Sequence, residues 1–231
     1  MSRQDSHGSA APERRYVSRG GLKLESALEE SGIAVAGRRA IDVGASTGGF
    51  SDCLLKRGAT EVVVVDVGYG QLDWGLRNDP RVHVRERTNA RELTPELLPY
   101  TPELAVVDVS FISLLKVLPA VLACLTDSHD VLALVKPQFE VGRGRVGRGG
   151  VVRSAADRRE ALLAVATGAQ GLGEGVLGFY RAGLAGPKGN RETFLWLAEG
   201  DRPGAERGAA GLERLVEAAE PLEGDVGEQG R

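Results

Sequence analysis

Three aspartates and a lysine stand at the ends of apolar runs in this 231-residue chain, where a charge has a reason to be. Asp42 opens the stretch DVGASTGGF over 42–50. Its turn residues Gly44, Ala45, Ser46, Thr47, Gly48, Gly49 and Phe50 are ligand-contact candidates, because glycines let the backbone turn tightly and approach a ligand closely. The spacing matches neither the G-x-G-x-x-G of a dinucleotide site nor a P-loop with its Lys-Ser/Thr. An acid just before the glycines suits a ligand with a cationic amino-acid end, such as S-adenosylmethionine. The plain alternative is a glycine-rich turn without a ligand. Asp66, followed by Val67, ends an all-valine run roughly 20 residues after the turn, the spacing of an acid that accepts both hydrogen bonds of a ribose diol. Asn89 follows the next apolar stretch and suits either an adenine edge or a structural turn.

A second constellation pairs Asp108, after LAVV, with Lys136, after VLALV. Both emerge on the rim that carries the glycine turn, and pairing offsets much of the cost of burying either charge. The alternative is an ion pair that merely ties two strand ends together. Glu192 opens the last apolar run, and Lys23 lies on the first helical stretch; by themselves, both read equally well as surface charges. Lysine is scarce here, five residues against 24 arginines, so a lysine inside an apolar context carries information.

The elements that position these residues follow from periodicity. Helices are predicted over 21–31, 48–57, 73–78, 113–126 and 157–170, and strands over 39–43, 61–67, 82–86, 104–109, 131–136, 176–182 and 192–198. Alternation of strand and helix predicts a Rossmann-like α/β fold, a mostly parallel seven-stranded sheet with helices on both faces. The final two strands have no helix between them, so the last one is antiparallel. Residues 1–15 read as a flexible leader, 16–200 as the catalytic domain, and 201–231 as an acidic, weakly ordered tail with room for a short helix around 210–220. That tail holds eight acids and four bases, which leaves the body near neutral within a net charge of −3.

Composition excludes several classes. No apolar run reaches the ~18–20 residues of a membrane span, and the N-terminus lacks the apolar core of a signal peptide. Cys53 and Cys124 have no metal-ligand spacing, which argues against a disulfide scaffold and for a cytoplasmic protein. No motif sets an oligomeric state. His7, His83 and His129 are isolated in sequence and read as solvent or packing residues, and Trp74 and Trp196 as core. Residues 142–150 carry three arginines among five glycines. They read as a flexible cationic loop able to close over a phosphate-bearing acceptor, or as a solvated loop.

The stretches VSRGGLKL (17–24), DVGASTGGF (42–50), VVDVSFISL (106–114), LVKPQFEVGRGRVGRGGVVR (134–153) and KGNRETFLW (188–196) together resemble the FtsJ-like methyltransferase domain of the TlyA haemolysin family. The resemblance spans about 16–199 with its motifs in order. It implies S-adenosylmethionine-dependent 2′-O-methylation of ribosomal RNA, with S-adenosylhomocysteine as product and no metal. It also implies a Lys-Asp-Lys-Glu tetrad, which falls on Lys23, Asp108, Lys136 and Glu192. The family usually carries an S4-type RNA-binding domain ahead of the catalytic one, and some 15 residues precede Tyr16 here.

The expected mechanism is in-line displacement at a sulfonium. Lys136 takes the proton from the acceptor hydroxyl, Lys23 supplies positive charge beside the developing alkoxide, Asp108 orients Lys136, and Glu192 positions Lys23 or the acceptor. RNA or a ribosomal subunit is the expected acceptor. A tailoring methyltransferase or cyclase for a small-molecule acceptor is the alternative, and a non-catalytic binding protein or a pore-forming cytotoxin is a third, less favoured class.

Overall fold

The computed structural model describes residues 15–186 and 188–221. Nearly all of the expected leader, and residues 222–231 of the expected tail, lie outside the described residues. The order of elements is α1 (Arg19–Ser31), β1 (Arg39–Val43), α2 (Gly49–Lys56), β2 (Glu61–Val65), α3 (Trp74–Arg77), β3 (Val82–Arg85), β4 (Leu104–Val107), α4 (Leu118–Leu122), β5 (Asp130–Val135), α5 (Pro137–Glu140), α6 (Ala155–Gly171), β6 (Glu174–Arg181), β7 (Thr193–Glu199) and α7 (Ala209–Ala219). The strands form one seven-stranded sheet in the order β3-β2-β1-β4-β5-β7-β6. The first five pair in parallel with one another, and β7 runs antiparallel to both β5 and β6.

The valine run of β2 shows why the sheet is buried on both faces. Successive side chains point to opposite sides. Val62 and Val64 join a core with Leu24 and Leu28 of α1 and Phe50 and Leu54 of α2. Val63 and Val65 join the other core, with Leu118 of α4, Val165 of α6 and Val216 of α7. Chain order reverses between β1 and β4, so the connections leaving their C-terminal ends run in opposite directions at a topological switch point, where open sheets of this kind bind ligands.

One expectation is corrected. The helix expected over 113–126 is broken: a single 3₁₀ turn at Leu114–Lys116 precedes a short α4. Pro119 has no N–H to donate back along the chain, so the α-helix starts around it rather than running through it. Within the expected tail, the short helix anticipated around 210–220 is present as α7. Leu212, Val216 and Ala219 form a buried stripe along α7, which packs on α6 and β6.

Candidate active site

The strands stop one residue before each charge of interest. Asp66 follows β2, Asp108 follows β4, Lys136 follows β5, and Glu192 immediately precedes β7. All four therefore sit on the same rim of the sheet as the turn after β1.

That turn needs its glycines. Gly44 has φ +86°, and a Cβ there would fall 2.5 Å from the Asp108 carbonyl oxygen. A Cβ on Gly49 would fall 2.1 Å from Ser18 Oγ and 2.9 Å from the backbone nitrogen of Gly21. The missing side chains let α1 pack against the start of α2, and this brings Lys23 to the rim. The entry to α1 is fixed by the Tyr16 hydroxyl donating to Glu25 at 2.8 Å and by the Val17 N–H donating to Asp52 at 2.9 Å. Ser18 then caps the helix.

Asp42 is fully buried. The N–H and hydroxyl of Ser51 donate to its Oδ2 at 2.9 and 2.7 Å. Its Oδ1 is buried too and has no hydrogen-bond partner among the described residues. Burial raises its pKa to about 7, with Asp108 nearby adding to the rise and the Ser51 hydrogen bonds opposing it. The residue lines a cavity of about 740 Å³ together with Lys23, the 44–47 turn and Asp108. A second cavity, of about 610 Å³, lies across Gly44, Ser46 and Asp108, which it shares, and extends to Asp66, Val67, Asn89 and Lys136. The two form one cleft in two chambers.

Asp66 holds the cleft's shape: the N–H groups of Ser46 and Gly68 each donate to it at 2.7 Å, one per oxygen. Each oxygen keeps a second lone pair. Asn89 caps a 3₁₀ turn, accepting from the Arg91 N–H and donating to Glu92, so its amide serves the turn while lining the second chamber.

The four tetrad candidates form two ion pairs. Lys23 Nζ lies 2.5 Å from Glu192 Oε2, with both side chains nearly out of solvent. Lys136 Nζ lies 2.5 Å from Asp108 Oδ1, off the hydrogen-bond direction, and its aligned hydrogen bond goes to Ser110 Oγ at 2.8 Å. Asp108 faces both chambers, Lys23 the first and Lys136 the second. Ser110 was not singled out from the sequence, although it lies two residues after Asp108 in the same turn.

Beyond Lys136 the surface is open and cationic. A third cavity, of about 750 Å³, is lined by Arg91, Lys116, Phe111, Gln138 and Phe139. Phe111 is 91% exposed with φ +66°, an uncommon conformation for a bulky residue, and its ring lies 5.2 Å from that of Phe139. Of the arginines in the 142–150 loop, Arg145 donates to the Val141 carbonyl and pairs with Asp157 and Glu160 on α6. Trp74 is 78% exposed rather than core. His129 is buried against Glu174 at 2.9 Å rather than isolated.

Among the described residues, no group of three or more His, Cys, Asp or Glu is placed to hold a metal, and no helix is long and apolar enough to cross a membrane.

A seven-stranded sheet with this order and a glycine-lined cleft at its switch point defines the methyltransferase class of α/β proteins. A solved S-adenosylmethionine dependent methyltransferase from Mesorhizobium loti shares the fold at TM-score 0.53 and 13% identity, over 79% of this chain and 100% of that one. The chain belongs to the FtsJ-like methyltransferase family, whose profile matches residues 16–199. It is 56% identical over 208 residues to the 16S/23S rRNA (cytidine-2′-O)-methyltransferase TlyA of Mycobacterium tuberculosis, covering 90% of this chain and 76% of that protein. It is 34% identical over 184 residues to the 23S rRNA (cytidine-2′-O)-methyltransferase TlyA of Campylobacter jejuni, covering 78% and 70%. A solved protein from Streptococcus thermophilus, named as a hemolysin, superposes at TM-score 0.83 with 41% identity over 90% of this chain and 76% of that one. The chain is thus an enzyme of the methyltransferase class.

Proposed function

We propose that this enzyme transfers a methyl group from S-adenosylmethionine to a ribose 2′-hydroxyl of ribosomal RNA, in the cytoplasm. The observation that carries the reading is the pair of ion pairs on one rim, Lys23–Glu192 and Asp108–Lys136, with Asp108 common to both chambers of the cleft.

The residues present fit the donor. The buried Asp42 Oδ1, without a hydrogen-bond partner among the described residues, suits its ammonium, and the cavity lined by Asp42 and the 44–47 turn leaves room for the amino-acid half. The free lone pairs of Asp66 suit the ribose diol, with Val67 and Asn89 beside the base. When bound, S-adenosylmethionine supplies an electrophilic methyl on a positively charged sulfur.

The chain's own residues do the rest. Lys136 Nζ accepts the proton of the acceptor hydroxyl as that oxygen bonds to the methyl carbon and the methyl's bond to sulfur breaks, releasing S-adenosylhomocysteine. Asp108 and Ser110 hold Lys136 in place. The Lys23 ammonium, held by Glu192, stabilises the negative charge developing on the acceptor oxygen. No metal is needed for this proton and charge traffic.

RNA is favoured over a small acceptor by the open third cavity, where Arg91 and Lys116 flank the Phe111–Phe139 ring pair. Cationic side chains beside exposed aromatic faces suit phosphates and an unstacked base. The test is label partition: the enzyme is incubated with tritiated S-adenosylmethionine and either ribosomal subunits or a small-molecule cell extract. Label in RNA, at a ribose oxygen, supports the proposal. Label confined to the extract overturns it in favour of a small-molecule tailoring enzyme.

A further inference from the structure

The turn that carries Glu192 is fastened by buried polar groups on two sides. Asn190 is 2% exposed, and both ends of its amide are used. The Val152 N–H donates to its Oδ1 at 2.9 Å, and its Nδ2 donates to the Gly150 carbonyl at 2.8 Å. Its own carbonyl accepts from the Gly186 N–H at 2.9 Å. Residues 150–152 are the exit of the arginine- and glycine-rich loop, so one side chain ties that loop to the approach of β7.

On the other side stands the end of α7. Glu220 is 3% exposed, and its Oε1 lies 2.5 Å from Arg158 Nη2 and 3.5 Å from Arg191 Nη1. Arg158 in turn donates from Nη1 to the carbonyls of Val152 and Arg153 at 3.3 and 2.7 Å. The 152–153 backbone is therefore gripped both by Asn190 and, through Arg158, by Glu220. Glu192 and Glu220 line one cavity of about 310 Å³. A Cβ on Gly186 would fall 2.3 Å from Glu192 Oε1, so the turn closes directly over that carboxylate.

Asn190, Arg191 and Glu220 do not line either chamber of the cleft. We propose that Asn190 and Glu220 are positioning residues that hold the 190–192 backbone so that Glu192 keeps the Lys23 ammonium at the acceptor side. This rests on the catalytic reading of Lys23 and Glu192 above. Buried, hydrogen-bonded polar groups of this kind specify one geometry more than they add net stability. One consequence is that α7, which lies beyond the residues matched by the family profile, belongs to the catalytic scaffold.

The chain has only five lysines, so ¹³Cε-lysine NMR resolves each ammonium-bearing carbon, and Lys23→Arg identifies the Lys23 signal by its loss. In Asn190→Ala and Arg191→Ala, the Lys23 signal is expected to move toward that of exposed Lys188 while the Lys136 signal stays. In parallel, kcat on ribosomal RNA is expected to fall about tenfold with donor Kd held within about twofold, as for a displaced catalytic group. Glu220→Gln should match Arg191→Ala, and Glu220→Asp should recover part of the loss. Arg191 is 65% exposed in its side chain, so that variant decides the matter if Asn190→Ala fails to fold. An unmoved Lys23 signal, or donor affinity lost in step with kcat, overturns the proposal. If the wild-type enzyme methylates no RNA, the proposed function fails, while the NMR arm still tests the positioning role.

Discussion

Lys23 and Glu192 are 169 residues apart in sequence and 2.5 Å apart in space. The pair joins the first helix to the last strand across the mouth of the cleft, with Glu192 almost wholly buried. Removing one partner of such a pair leaves an uncompensated buried charge, a loss of about 3–5 kcal/mol. Glu192→Gln is therefore expected to lower the melting temperature and to reduce kcat by about 10²-fold, in the range for a group acting on proton or charge transfer. Lys23→Met/Glu192→Gln should recover stability relative to Glu192→Gln without recovering kcat, because only the buried charge is relieved. Thermal melts of wild type, Lys23→Met, Glu192→Gln and the double variant, beside single-turnover rates, check this; independent, additive losses would speak against a coupled pair.

Asp42 gives donor binding a pH dependence. Its pKa is raised to about 7 by burial, and the ligand's ammonium favours the ionised form. Donor affinity should therefore weaken as pH falls below about 7, by up to tenfold per pH unit, with proton release on binding near neutrality. Folding runs the other way. Because the unfolded carboxyl ionises near its ordinary value of 3.8, this group costs stability increasingly as pH rises toward 7. Asp42→Asn should bind the donor weakly with a flat pH profile, and should melt higher than wild type at pH 8 in the absence of donor. Calorimetric titration between pH 5.5 and 8.5 measures the first effect and thermal melts the second.

Gly44→Ala tests the backbone of the cleft. The substitution puts an L side chain at φ +86° and within 2.5 Å of the Asp108 carbonyl, which belongs to the turn that carries Asp108 itself. The conformational strain alone is about 1–3 kcal/mol. The expected result is a lower melting temperature together with at least about a tenfold loss of donor affinity, since the turns after β1 and β4 must separate. Unchanged affinity in a folded variant would show that the cleft does not depend on this close approach.

His129 ties the opposite end of the sheet. Burial pulls its pKa down, but the hydrogen bonds to Glu174 and to the Thr126 carbonyl, with the Glu174 charge, raise it overall above 6.5. A histidine pKa raised in the folded state adds stability that is fully present below about 6.5 and is lost as pH rises through the folded value. Urea midpoints should therefore fall between pH 6 and pH 9 in wild type, and by less in His129→Gln. Equal slopes in the two proteins would remove His129 from the account.

The rim was legible because its charges interrupt apolar runs. Asp66 after four valines, Asp108 after LAVV and Lys136 after VLALV each mark a strand end within one or two residues of where it falls. The Asp108–Lys136 pair was legible as opposite charges at two strand ends on one rim, and the resemblance associated Glu192 with Lys23; other partners were not, since pairing across the sheet leaves no spacing to read. Nothing local links Lys23 to Glu192, Glu220 to Arg158, or His129 to Glu174. Ser51 as the hydrogen-bond partner of Asp42 is nine residues distant and depends on the tightness of the glycine turn. The exposure of Phe111 comes from its left-handed backbone, a conformation that composition does not signal in a non-glycine residue. The shortened α4 was in principle readable from Pro119, whereas α7 was read as a short helix around 210–220.

Lys136→Ala bears most directly on the chemistry. Transfer of tritium to ribosomal RNA is followed under single-turnover conditions in wild type and variant, with donor Kd measured on the same preparations. The account predicts a fall in rate of about 10²–10⁴-fold with Kd within a few-fold, because Lys136 handles the acceptor proton rather than the donor. A variant that turns over at near the wild-type rate would contradict it.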